Sequence, residues 1–159
     1  MFYLNNIHMN KFIEVLFEQN IDLILTGSFA GVEHGYDFLH ENSDIDFFVN
    51  IDMCNLNKLY KILKIKISNL KINDLIEYNS ISIIIDNKQL QFIKYSNSSP
   101  HINYKNLILN NEYILKKKFN HIIKIISEKK YLESLFLLSQ DDYNKKLKYK
   151  NLIIQYLNK

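Results

Sequence analysis

The sequence predicts an α+β domain: a mixed sheet with flanking helices, followed by a helical C-terminal tail. Three observations carry this expectation. Short apolar runs bounded by turn residues fill the first two thirds of the chain and read as strands. From about residue 112 the apolar spacing becomes helical, with no Gly or Pro to break it. Strands first and helices last is the order of an α+β domain. Residues 1–109 are expected to form the α/β core and residues 110–159 a helical extension packed on it. A chain of 159 residues suits one compact domain.

Taken in order, residues 9–19 carry apolar side chains at 9, 12, 13, 15 and 16, a helical stripe. Residues 21–25 form a short apolar run between Asn20 and Gly27, the signature of a buried strand. Gly27 and Ser28 then open a short helix reaching about Glu33. Residues 43–51 predict a second strand and residues 55–66 a helix. Residues 81–85 and 89–95 flank Asp86-Asn87-Lys88, a hairpin signal. Residues 112–156 predict two or three helices.

Composition narrows the function classes. With 47% apolar and 23% charged residues the chain reads as globular. No apolar stretch approaches the ~20 residues of a membrane span, and the N-terminal residues lack the pattern of a signal peptide. One cysteine, Cys54, cannot form an internal disulfide, and it has no neighbouring His or Asp in sequence to make it a nucleophile. A soluble cytoplasmic protein without membrane association is expected. The formal charge is only +3, a weaker basic bias than dedicated nucleic-acid binding brings. All twenty basic residues are lysines, so an anion must be held by point charges, backbone N–H groups or metal rather than by guanidinium forks. The lysine groups at 116–118, 129–130 and 145–146 fall on predicted helices and read first as solvated faces.

The chemistry concentrates in TGSFAG and SDIDFFV. Asp44 and Asp46 alternate with Ile45 and Phe47 on a predicted strand, so both carboxylates share one face about 7 Å apart. They repel unless neutralised, and oxygen-only ligands favour Mg²⁺ or Mn²⁺. Gly27 lets a phosphate approach the backbone, the following helix start offers amides, and Ser28 adds a hydroxyl. Phosphate holder and metal holder would then lie on adjacent strand ends, as a nucleoside triphosphate with its metal requires.

An apolar strand, Gly-Ser, a short helix and then Asp-x-Asp on the next strand resembles the nucleotidyltransferase superfamily. That superfamily includes antibiotic nucleotidyltransferases, DNA polymerase β-like enzymes, minimal nucleotidyltransferases and abortive-infection toxins. The likeness covers residues 21–51 closely; beyond them NEYILKKKFNHIIKIISEKKYLESLFLL only loosely resembles the helical tail of bacterial members. It implies a nucleotidyltransferase-like fold, with Ser28 holding the triphosphate beside Gly27, and with Asp44 and Asp46 binding the metal and serving catalysis. If the tail crosses the site, Lys117 or its neighbours Lys116 and Lys118 would reach phosphate. The implied reaction transfers a nucleoside monophosphate from a nucleoside triphosphate to a hydroxyl of a small molecule, RNA or protein, releasing pyrophosphate.

One departure bears on activity. Active members usually carry a third carboxylate on a neighbouring strand. Here the corresponding strand is QLQFIKY, where Gln89 and Gln91 point together and Gln91 is the expected occupant. An amide oxygen can ligate a metal but cannot act as a base near neutral pH. Asp86 and Glu77 are the alternatives for a third carboxylate. The second reading is therefore a catalytically degenerate module that works by binding nucleotide or a protein partner. A third is a structural domain with a chance motif, which predicts no nucleotide binding. His34, His40, Glu33 and Glu41 lie in the loop between the motif halves as possible substrate contacts, and Tyr104 and Tyr113 as possible base-stacking residues.

Overall fold

The structure, a computed structural model, describes residues 6–36 and 43–159. The fold is α+β. Its main sheet has six strands: β1 (Leu23–Thr26), β2 (Ile45–Val49), β3 (Ser80–Ile85), β4 (Lys88–Ile93), β7 (Tyr113–Lys118) and β8 (His121–Ile126), in the spatial order β3-β4-β2-β1-β8-β7. The sheet is mixed. β1 runs antiparallel to β2 and parallel to β8, and β2 runs parallel to β4. A separate two-stranded ribbon is formed by β5 (Tyr95–Ser96) and β6 (Ser99–Asn103).

The helices are α1 (Ile7–Glu18), α2 (Gly27–Glu33), α3 (Met53–Lys66), α4 (Ile72–Glu77), α5 (Tyr104–Leu109), α6 (Glu128–Ser139) and α7 (Tyr143–Leu157). Asn6 caps α1 by accepting from the Met9 N–H at 2.9 Å, satisfying one of the helix's orphan donors. Asn20, at φ 55°, turns the chain out of α1 and toward β1. Helix α1 buries Met9, Phe12, Ile13 and Leu16. Phe17 meets Phe47 edge-on at 6.0 Å, and Phe47 stacks on Phe92 at 6.4 Å. That face of the sheet is the apolar core. The opposite face, carrying Asp46, is covered by α2, α6 and α7.

The predicted helix over 9–19, strand over 21–25, helix from Gly27 to Glu33, strand over 43–51 and helix over 55–66 all form, with ends shifted by a few residues. The hairpin forms as well. β3 and β4 pair antiparallel down to Ile85↔Lys88, leaving Asp86 and Asn87 as a two-residue loop at φ 49° and 64°. Both residues are left-handed, the geometry of a type I′ turn. Asn87→Ala should therefore lower stability by about 1 kcal/mol, while Asn87→Gly should not; urea melts of the two variants check this.

The C-terminal third corrects the sequence reading. Residues 113–126 are not helical; they form the β7–β8 hairpin, and β8 pairs with β1 in the middle of the main sheet. Only α6 and α7 belong to the helical tail. The turn at Phe119 and Asn120, both at positive φ (53° and 62°), contains no Gly or Pro to announce it. Among the described residues no helix is long and apolar enough to cross a membrane.

Candidate functional site

Strand register assembles the site. Asp46 stands opposite Thr26 on β1 and Gln91 on β4, and Gln91 in turn pairs with Ser82 on β3. Thr26, Asp46, Gln91 and Ser82 thus form a row across four strands on one face. The chain leaves this row at Thr26 and enters α2 through Gly27 and Ser28. Asp44 lies one residue before β2, half-buried like Asp46.

Gly27 packs directly against Asp46. Its φ is +69°, and a Cβ placed there would lie 2.3 Å from Asp46 Oδ2 and 3.2 Å from Asp46 Cγ. The space a side chain would occupy is already filled by the Asp46 carboxylate. The glycine binds the two motif halves together by letting that carboxylate rest against the backbone.

Over this row lies a cavity of about 250 Å³. Its lining is mixed: Thr26, Gly27, Ser28, Asp46, Gln91, Lys145 and Lys148 are among the polar residues, and Phe48, Ile93, Tyr95, Leu135 and Leu138 among the apolar and aromatic ones. Helix α6 contributes Tyr131, Ser134, Leu135 and Leu138, spaced i, i+3, i+4 and i+7, so one helical face lines the cavity. Helix α7 brings Lys148, whose Nζ donates to Ser28 Oγ at 2.9 Å.

The electrostatics are unbalanced. Burial first, and then the neighbouring Asp44, push the Asp46 carboxyl up to about 6, against the pull of Lys145 and Lys148. Burial first, and then Lys145, push the Lys148 ammonium down to about 8, with Asp46 working the other way. Each group is charged at neutral pH at a cost to the fold. A lysine whose folded pKa lies below its unfolded value carries that cost in full below pH 8 and sheds it between pH 8 and 10.5. Wild type should therefore gain stability relative to Lys148→Met across that interval in thermal melts.

Asp44, Asp46 and the Gln91 amide paired with Asp46 offer oxygen donors of the kind that suits Mg²⁺ or Mn²⁺, but Asp44 is not among the residues lining the cavity. Among the described residues no three His, Cys, Asp or Glu side chains converge. Asp86 sits in the hairpin turn paired with His8 Nδ1, and Glu77 is the exposed last residue of α4. Neither is a neighbour of Asp46 in the sheet register.

The other sequence candidates lie elsewhere. Lys117 is exposed on edge strand β7 and does not line the cavity, because the segment that carries it is a strand rather than a helix crossing the site. Lys116 and Lys118 hold Glu33, each at 2.7 Å from one carboxylate oxygen. Burial alone would raise the Glu33 carboxyl; the hydrogen bonds from Lys116 and Lys118 hold it below its ordinary value. His34 donates from Nε2 to the Ile126 carbonyl at 2.7 Å. Tyr104 lines a different cavity, Tyr113 lies on β7 and Cys54 is exposed on α3. His40 and Glu41 fall outside the described residues.

Sequence reading missed Tyr131, Lys145 and Lys148. The i, i+3, i+4, i+7 spacing around Tyr131 was legible as a helical face, but nothing local says what that face covers. Comparison with protein-family models, curated proteins and solved structures finds no match to this chain.

Proposed function

We propose that the chain binds a nucleoside triphosphate together with Mg²⁺ or Mn²⁺ over the Thr26–Asp46–Gln91 row and transfers a nucleoside monophosphate to an acceptor hydroxyl. The reading rests on one observation: Ser28, Asp46, Lys145 and Lys148 line a single cavity together with apolar and aromatic side chains. Phosphates have donors in Ser28, Lys145 and Lys148, and a base has Phe48, Ile93 and Tyr95 to pack on. Asp44, Asp46 and the Gln91 amide would hold the cation, which supplies neutralisation of the polyphosphate charge. The Ser28 hydroxyl and the lysine ammonium groups bind and orient the phosphate oxygens. As the acceptor oxygen bonds to the α-phosphorus, the bond to the β-phosphate oxygen breaks and pyrophosphate leaves. The hydroxyl proton passes to a carboxylate of the Asp44–Asp46 pair.

A second reading, a degenerate module that binds nucleotide or a partner without transfer, is favoured by Gln91. A neutral amide occupies the register position beside Asp46 on β4. The acceptor is a hydroxyl of a small molecule, RNA or protein. The nucleotidyltransferase likeness of TGSFAG and SDIDFFV and a cytoplasmic setting belong to the same proposal.

Thermal stability measured with each of the four ribonucleoside triphosphates, with and without Mg²⁺ or Mn²⁺, tests binding. Wild type should be stabilised in a metal-dependent way and Asp44→Ala/Asp46→Ala should not. No shift with any nucleotide would remove the first reading and leave the second only in its partner-binding form. Stabilisation without pyrophosphate release across hydroxyl acceptors would favour the second.

A further inference from the structure

Asn97 stands in the connection between β5 and β6 and lines the cavity together with Ile93 and Tyr95. Which end of its amide is free follows from a chain of hydrogen bonds that begins at the backbone. The Tyr95 N–H donates to Asn79 Oδ1, just before β3, at 3.2 Å. A backbone N–H can only donate, so that end of the Asn79 amide is its oxygen and the other end its NH₂. The NH₂ donates to the Tyr95 carbonyl at 3.2 Å and to Asn97 at 3.3 Å. Whatever receives from an NH₂ is an acceptor, so Asn97 turns Oδ1 to Asn79. Its own NH₂ is left over, and among the described residues nothing accepts from it. Asn97 is exposed, so water can serve that group at little cost. What Asn79 fixes is polarity: the free end of Asn97 is a donor.

That polarity acts as a filter on bases. A base packed on Phe48, Ile93 and Tyr95 would bring its edge to the stretch of lining that holds Asn97, which follows Tyr95 by two residues. Guanine and uracil carry a carbonyl oxygen where adenine and cytosine carry an exocyclic amine. An NH₂ bonds the carbonyl, whereas it meets the amine donor to donor. An asparagine free at both ends pairs with adenine through N6 and N7 together, but that pairing needs the oxygen that Asn97 turns to Asn79.

We propose that Asn97 is a specificity-determining residue that selects the keto bases guanine and uracil over the amino bases adenine and cytosine, with Asn79 setting its orientation. This rests on the nucleotide reading above and adds which nucleotides the site prefers.

The test is the affinity of wild type, Asn97→Asp and Asn97→Ala for each of the four ribonucleoside triphosphates with Mg²⁺, from thermal shifts titrated with nucleotide. Asn97→Asp keeps an oxygen for Asn79 and puts an acceptor where the NH₂ stood. Its added charge weakens all four triphosphates alike, so the ratios between them carry the result. Wild type should bind GTP and UTP about three- to tenfold tighter than ATP and CTP, the worth of one hydrogen bond. Asn97→Ala should level the four, and Asn97→Asp should favour ATP and CTP. Wild type that binds all four equally, or prefers ATP or CTP, would overturn the inference while leaving nucleotide binding intact. A preference for GTP and UTP that survives in both variants would overturn it too, by placing the selection elsewhere. No shift of wild type by any nucleotide would remove the nucleotide reading and this inference with it. The wild-type ranking is a test independent of either variant's stability.

Discussion

Asp46→Asn is expected to melt above wild type in the absence of ligand and to lose the metal-dependent stabilisation by nucleoside triphosphate. The two halves of this outcome have one cause. Burial and Asp44 hold the Asp46 carboxyl at about 6, above its ordinary 3.8, so its ionised form is destabilising at neutral pH. Below about pH 4 the folded and unfolded states both hold the proton and the cost vanishes; as pH rises toward 6 only the unfolded state ionises freely and stability is lost. Wild type should therefore fall behind Asp46→Asn between pH 4 and 6, then run parallel to it. The gap is on the order of 1–2 kcal/mol once solvent screening is allowed for. A ligand at 100 times its dissociation constant adds about 2.7 kcal/mol, and the variant should forfeit all of it; Asp44→Asn should forfeit it too. An Asp46→Asn protein that melts lower yet keeps the full nucleotide shift would show the carboxylate to be structural. A site that weakens the fold and strengthens ligand binding is the usual stability–function trade-off.

Gly27→Ala should be the most damaging single-atom addition in the motif. The left-handed backbone at φ +69° costs alanine about 1 kcal/mol. The clash with Asp46 Oδ2 at 2.3 Å forces the carboxylate or the α2 backbone to move, for a total of about 2–4 kcal/mol. Because Asp46 is displaced, nucleotide-dependent stabilisation should be lost as well. The clash term is testable by coupling. In an Asp46→Ala background the nearest remaining atom is Asp46 Cβ at 3.3 Å, so Gly27→Ala should cost about 1–2 kcal/mol less there. Equal costs in both backgrounds, read from denaturant melts, would mean that the glycine serves its own φ alone.

The amino-acid sequence determined most of the first 96 residues. A four-residue apolar run, a left-handed Gly and an alternating Asp-Ile-Asp carry their structural meaning locally, as do the Asp86-Asn87 turn and the pleat of Gln89 and Gln91. They are consequences of sterics and side-chain alternation that no distant contact needs to supply. The place of Gln91 beside Asp46 was expected from the resemblance, and the β2–β4 register puts it there.

The tertiary structure decided the rest. Residues 113–118 and 121–126 are short apolar-and-lysine runs whose periodicity suits helix or strand, and Phe119-Asn120 hides the turn between them. They become strands because β1 has an open edge for β8 to pair with, a partner about a hundred residues away. Lys117 was drawn from the site to the sheet edge by that change. Lys145 reads as part of a solvated basic face until α7 brings it and Lys148 to the cavity, and Tyr131 as one tyrosine among eleven until α6 brings it to the same lining. Local sequence specifies which face a helix offers; what that face meets is set by how the helices dock on the sheet.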